Sequence, residues 1–382
     1  MDFTFDDEQK ALQDAVRELA ARNAPAEAHG DVPVGPAAHD PKAWSAIAEM
    51  GLLALPFGED VGGAGASTVE VAIAATELGR ARVATAYAEA LTAAGLIAFG
   101  GSDEQRAKLL PDLLDGTSLV VPAFAEPGRA WSLEAYDVTA SGAGAGSPRS
   151  IRGSEAEEKL RGVQGDVTLT GTKEPVPYAD AADKLVVTAR VGDRTGLFLV
   201  DGATVSGMRV RLDNTPAVAL GSVDDAARAI RAGVNLGILA VTAEALGAMD
   251  AALPMTVEYL KTRKQFGVPL AAFQTLTQRA ADMYVSLELA RSTVLYEGMA
   301  LAADPYDATA TSRAKVVIGQ SGRHVGQEAI QLHGGIGMTA EYAVGHHTAR
   351  LTAIEHTFGD TRWHLARLAG ALDDHEQVDL LT

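Results

Sequence analysis

The sequence predicts an α+β fold that is mostly α. It comprises an N-terminal α-helical domain (1–118), a middle small β-barrel or sandwich domain (119–221) and a C-terminal four-helix bundle (222–382). Three observations predict it. Apolar residues recur at helical spacing over the first 118 residues, and again in much longer runs from about Ser222. Short β-branched runs bounded by turn residues fill the stretch between them. At 382 residues the chain can bury more than one core.

The elements follow in order. Phe5-Asp-Asp-Glu-Gln-Lys opens an amphipathic helix through about Ala21, with acids in its first turn where the helix dipole favours them. Pro41 to Met50 reads as a second helix, and Ser67 to Phe99 as two more. Ser102-Asp-Glu-Gln carries capping chemistry for a helix that ends near Leu114-Asp115-Gly116. Strands are expected at Leu119-Val-Val-Pro-Ala-Phe-Ala, Asp166-Val-Thr-Leu-Thr-Gly, Leu185-Val-Val-Thr-Ala-Arg and Gly196-Leu-Phe-Leu-Val-Asp. Ser141 to Gln164, Gly/Ser-rich and then charged, reads as a solvated loop. Long helices are expected over Asp224 to Arg263, Pro269 to Ala302 and Asp307 to His333, and shorter ones over Ala343 to Thr357 and Asp360 to Leu372. Their apolar surface exceeds what one subunit covers, which predicts an oligomer.

Composition narrows the function. The chain is 47% hydrophobic and 21% charged, an ordinary globular balance, with a net charge of -18. That charge argues against nucleic acid or an anionic membrane as partner. An anionic substrate needs a local basic site. The absence of cysteine excludes disulfides, thiolate catalysis and cysteine metal sites. The acidic start has no apolar signal region, and no apolar run reaches the length of a membrane span, so a cytoplasmic location is expected.

Two stretches carry the chemistry. Arg263-Lys264-Gln265-Phe266-Gly267 sets a guanidinium beside an aromatic ring, a pairing suited to a phosphate and a flat ring system. Arg263 equally suits a C-terminal cation on the helix dipole. Gln274 is either a further ligand or a surface residue. Gln331-Leu332-His333-Gly334-Gly335-Ile336-Gly337 offers an amide and then glycines. One glycine caps a helix; the extra ones suggest close backbone approach by a ligand. His333 reads as structural. His346-His347 are adjacent and diverge on a helix, so they make no metal pair, and none is expected elsewhere. Gly62-Gly63-Ala64-Gly65 lacks the lysine of a P-loop.

These residues resemble the acyl-CoA dehydrogenases over nearly the whole chain. The resemblance rests on Gly51-Leu-Leu-Ala-Leu-Pro-Phe-Gly-Glu-Asp-Val-Gly-Gly-Ala-Gly, Gly101-Ser-Asp-Glu-Gln-Arg-Ala-Lys-Leu-Leu-Pro, Ala125-Glu-Pro-Gly, Leu169-Thr-Gly-Thr-Lys173 and the two stretches above, in family order. It implies FAD, and a tetramer whose flavin sites lie between subunits. Arg263, Gln265, Phe266, Gln274, Gln331, Gly334 and Gly335 would hold a neighbour's FAD. Backbone groups at Phe124, Ala125 and Val176 would touch the chain's own isoalloxazine. The implied reaction is α,β-dehydrogenation of an acyl-CoA or acyl carrier protein thioester, with an electron-transferring flavoprotein as acceptor.

The sequence also departs from the family. Aligned on the glycine of Ile354-Glu-His-Thr-Phe-Gly-Asp-Thr361, Phe358 stands where the family's catalytic Glu is expected. Gly237 stands at the alternative base position of a minority. Asp360 and Glu244 are the nearest carboxylates and the two candidate bases, with Glu355 third. Asp360 also fits an N-cap, and Glu244 a buried structural acid. On the β side, Ala125 and Pro175-Val176-Pro177 replace hydroxyls and an indole that face the flavin. The half offered to a neighbour is intact and the half for the chain's own flavin is eroded. Three readings follow: a dehydrogenase with an unusual base, a non-catalytic partner in a heterotetramer, or a flavin oxidase or monooxygenase on the same scaffold.

Overall fold

The computed structural model describes residues 4–25, 38–142 and 167–371. Helices α1 (Asp7–Arg22), α2 (Pro41–Glu49), α3 (Thr68–Arg80), α4 (Tyr87–Gly100) and α5 (Asp103–Leu114) come first. Three of them start on capping boxes: Asp6 with Gln9, Ser67 with Glu70, and Ser102 with Gln105. In each, the side chains satisfy backbone N–H groups that the first turn leaves unpaired.

Strands β1 (Val120–Ala123), β2 (Thr139–Gly142), β3 (Val167–Lys173), β4 (Lys184–Val191), β5 (Arg194–Val200), β6 (Thr204–Ser206) and β7 (Arg209–Ala219) follow. Going round the sheet, β2 pairs with β3, β3 with β7, β7 with β5 and β5 with β4. Thr139 beside Arg190 returns β4 to β2 and closes a barrel. Strand β1 runs parallel to β4, and β6 lies along β7. The loop expected over 141–164 begins two residues too early, since Ser141 and Gly142 end β2; the rest of it lies outside the described residues.

The remaining helices are α6 (Val223–Thr262), α7 (Gln274–Ala303), α8 (Ala308–His333), α9 (Ala343–His356) and α10 (Thr361–Gly370). The fold is thus mostly helical, with strands in the middle and a bundle of α6 to α9 after them. One boundary is corrected. The helix expected from Pro269 starts only at Gln274, because Val268–Pro269 (β9) pairs with Lys264–Gln265 (β8) in a hairpin, and a 3₁₀ turn over Leu270–Ala272 follows.

A second correction concerns α6. It is long and apolar enough to cross a membrane by length and composition, contrary to the expectation. Its apolar stretch is instead 83% buried, because α3, α4, α7, α8 and α9 pack around it. Small residues permit this closeness. A Cβ at Gly95 of α4 would lie 2.8 Å from Gly233 Cα of α6, and one at Gly247 would lie 1.9 Å from Thr76 O of α3.

Candidate active site

Helix α6 ends where Arg263 turns into the β8–β9 hairpin, closed by Arg263 N donating to Tyr259 O at 2.8 Å and Leu270 N to Arg263 O at 2.8 Å. The hairpin tip is Phe266-Gly267, with φ +52° and +83°. That left-handed pair throws the Phe266 ring outward, 92% exposed, 6.2 Å from Phe273. Arg263, Gln265 and Gln274 are exposed beside it, Gln274 as the first residue of α7.

The glycine stretch reaches the same end of the bundle. His333, 3% exposed, stacks on Tyr259 of α6 at 4.6 Å and on Tyr342 at 4.8 Å, while its Nδ1–H donates to Ala329 O at 2.7 Å. Burial lowers its pKa, which keeps it neutral and structural. Gln331, Gly334 and Gly335 are exposed, and a Cβ at either glycine would meet nothing within 4 Å. Gly337 differs: a Cβ there would sit 3.0 Å from His333 Cβ, so its smallness serves internal packing. An open backbone, an amide, a guanidinium and an unburied ring on one surface fit a dinucleotide's phosphates and ring.

The positions expected at the chain's own flavin are buried. Phe124 is 5% exposed and Val176 is 0% exposed. Three backbone atoms here have partners: Phe124 O accepts from Lys173 Nζ at 2.9 Å, Ala125 O from Glu174 N at 2.8 Å, and Val176 N donates to Met208 O at 2.8 Å. Lys173 is itself fully buried and bridges to Glu126 Oε1 at 2.8 Å. Burial pulls its pKa down to about 8 against the pull of Glu126. Glu126 also accepts from the backbone N of Tyr136, Asp137 and Val138, which pins the 124–138 loop. Trp131 on that loop lies 5.7 Å from Phe124 and 5.8 Å from Phe358, its indole nitrogen buried without a partner.

Phe358, 6% exposed, sits against α6 and α4. A Cβ at Gly237 would fall 2.9 Å from the Phe358 ring and 2.1 Å from Thr92 Oγ1. Each sequence candidate for a base has at least one partner, although Glu355 Oε2 is buried without one. Asp360 is the N-cap of α10, accepting from Trp363 N at 2.8 Å. Glu244 takes both forks of Arg350, at 2.6 and 2.7 Å. Glu355 Oε1 accepts from Thr361 N at 3.0 Å.

Sequence reasoning missed Glu89. It lies one turn before Thr92 on the same face of α4, 5% exposed. With Tyr87, Thr85, Glu244 and Arg350 it lines a cavity of about 20 Å³, room for about one water. Burial pushes its carboxyl up to about 7, despite Arg350. Arg350 keeps 24% of its side chain accessible, at the base of a narrow cleft. Burial works against its charge, but Glu244 outweighs this and holds its pKa above the usual value. The available signal was an acid inside a helix that is otherwise apolar.

Comparison with known proteins gives this geometry a lineage. Residues 6–117 match the acyl-CoA dehydrogenase N-terminal domain and residues 227–372 the acyl-CoA dehydrogenase C-terminal domain. An acyl-CoA dehydrogenase of Bacillus subtilis is 30% identical over 330 residues, covering 78% of this chain and 80% of the relative. Acyl-CoA dehydrogenase IpdE2 of Mycolicibacterium smegmatis is 27% identical over 375 residues, 95% and 98% of the two chains. Among solved structures, the Tcur3481-Tcur3483 steroid ACAD superposes with TM-score 0.80 at 29% identity, covering 96% and 98%. A glutaryl-CoA dehydrogenase of Mycobacterium smegmatis in complex with FADH2 shares the fold, with TM-score 0.82 at 21% identity over 98% and 96%.

Proposed function

This chain belongs to the acyl-CoA dehydrogenase family, and on that premise we propose that it serves FAD-dependent α,β-dehydrogenation of an acyl-CoA thioester as a partner subunit. It completes the flavin site of a catalytic subunit and removes no proton itself. The observation that carries this is Phe358. A buried ring fills the place where the family's carboxylate is expected, Gly237 occupies the alternative, and Asp360 and Glu244 are each bound to other groups.

In such an assembly Arg263 and the backbone at Gly334 and Gly335 would clamp the FAD pyrophosphate of the neighbouring subunit. Phe266 would lie against its flat ring system, with Gln265, Gln274 and Gln331 as hydrogen-bonding neighbours. The flavin, when bound, supplies a hydride acceptor, and an electron-transferring flavoprotein is the proposed onward acceptor. The likeness to a solved steroid ACAD named for two components supports a heteromer and suits a bulky acyl group.

A second reading is autonomous dehydrogenation to the trans-2-enoyl-CoA. One observation favours it: a carboxyl at about 7, as Glu89 has, suits a general base. One experiment separates the two. The chain is expressed alone and with its catalytic partner, and bound flavin and its bleaching by acyl-CoA are measured. Flavin present only in the co-expressed complex supports the partner reading. Full flavin in the lone chain, bleached by acyl-CoA, overturns it, and peroxide formed during that bleaching would mark an oxidase.

A further inference from the structure

The turn between α9 and α10 is held from both sides. Lys315 of α8, 1% exposed, lies under the end of α9. Its Nζ donates to the carbonyl oxygens of Ile354 at 2.7 Å, Thr357 at 2.8 Å and Glu355 at 3.3 Å, which uses the three N–H bonds of an ammonium. His364, fully buried, lies 3.0 Å from Phe358 O through Nε2 and 3.2 Å from Ser312 Oγ through Nδ1. A carbonyl only accepts, so Nε2 carries the proton and Nδ1 accepts from the Ser312 hydroxyl. Asp360 caps α10 immediately beyond. Between these anchors Phe358 is kept at φ +56° and Gly359 at +92°, a conformation that a phenylalanine does not choose unaided. The ring is thereby aimed at the notch left by Gly237, with Trp131 across it.

We propose that Lys315 is a positioning residue that holds Phe358 as a plug in the place where the resemblance expects the base, beside the reacting end of an acyl chain, so that a fixed side chain keeps an acyl chain out. This rests on the reading that the chain's own site is idle. It adds that the space behind the ring is latent, and that α8 controls it from a position outside that space.

The test uses the purified full chain and calorimetric binding of octanoyl-CoA against CoA alone. The wild type is expected to bind the two alike. Phe358→Ala should bind octanoyl-CoA at least ten-fold tighter than CoA. Lys315→Gln should show the same preference with Phe358 in place, and Lys315→Arg should abolish it again. Should Phe358→Ala fail to fold, Phe358→Leu opens part of the space and should give a smaller preference of the same sign. A folded Phe358 variant that still binds the two alike overturns the plug. A preference for octanoyl-CoA in Phe358→Ala but none in Lys315→Gln overturns the role of Lys315. Failure of the broader reading looks different: the wild-type chain would itself hold flavin that octanoyl-CoA bleaches.

Discussion

Phe358 and Gly237 interlock: the ring occupies the volume that any side chain at 237 would need, with 2.9 Å between its Cε2 and a Cβ built on the glycine. The two positions at which the resemblance leads one to expect a base are therefore held by one complementary pair. Gly237→Ala should overpack this contact and destabilise the chain by about 1–3 kcal/mol. Part of that cost should vanish in a Phe358→Ala background, while the part set by Thr92 Oγ1, nearer to the new methyl at 2.1 Å, should remain. Chemical denaturation of the four proteins checks this. Strictly additive effects would mean the ring and the glycine do not share space.

The exposed end predicts the opposite behaviour, function without stability. Arg263 is solvent-exposed at the end of α6, so Arg263→Ala should leave the unfolding free energy of the lone chain within about 0.5 kcal/mol of wild type. A lost charged hydrogen bond to phosphate is worth about 1.5–3 kcal/mol, hence roughly 10- to 100-fold weaker flavin retention in the co-expressed complex. Flavin absorbance per protomer after dialysis measures this. Unchanged flavin content would remove Arg263 from the site.

Much of this architecture was legible because its signals are local. Asp6 with Gln9 and Ser102 with Gln105 announce helix starts within four residues. Glycines 334 and 335 after an amide stand out by themselves. Strand β7 escaped because Arg209, Arg211, Asp213 and Pro216 interrupt its β-branched character, although Val210, Leu212 and Ala217 alternate into the core. The buried positions around Phe124 and Phe358 were legible only as departures from the expected motifs. Its locks join positions far apart in the chain: Lys315 to Ile354 across 39 residues, Lys173 to Phe124 across 49, Glu244 to Arg350 across 106. No periodicity reports such a pairing. Glu89 and Lys315 each look like one stray charge until the fold shows what surrounds them.

The Glu244–Arg350 fork should behave as structure, not as catalyst. Removing the acid alone leaves a guanidinium uncompensated at the base of a cleft, so Glu244→Ala should cost about 3 kcal/mol. The double replacement Glu244→Leu with Arg350→Met removes both charges and should come out near neutral. Thermal melts of the single and double variants decide between them. A loss of turnover in the complex with no loss of stability for Glu244→Gln would restore it as a candidate base.

Glu89 predicts the pH dependence of stability. Its carboxyl titrates near 4.5 when unfolded and at about 7 in the fold, because burial disfavours the charge more than Arg350 favours it. The native state thus keeps a proton that the unfolded chain releases between those values. The resulting stability is fully present below pH 4.5 and lost as pH rises through 7. The span corresponds to about 3 kcal/mol. Glu89→Gln mimics the protonated form at every pH, so it should match wild type near pH 4.5 and exceed it by up to about 3 kcal/mol at pH 8. Urea denaturation at both values provides the comparison. Parallel curves for the two proteins would place the Glu89 carboxylate in water instead of inside the cleft with Arg350, and would also withdraw the one observation that favours it as a general base.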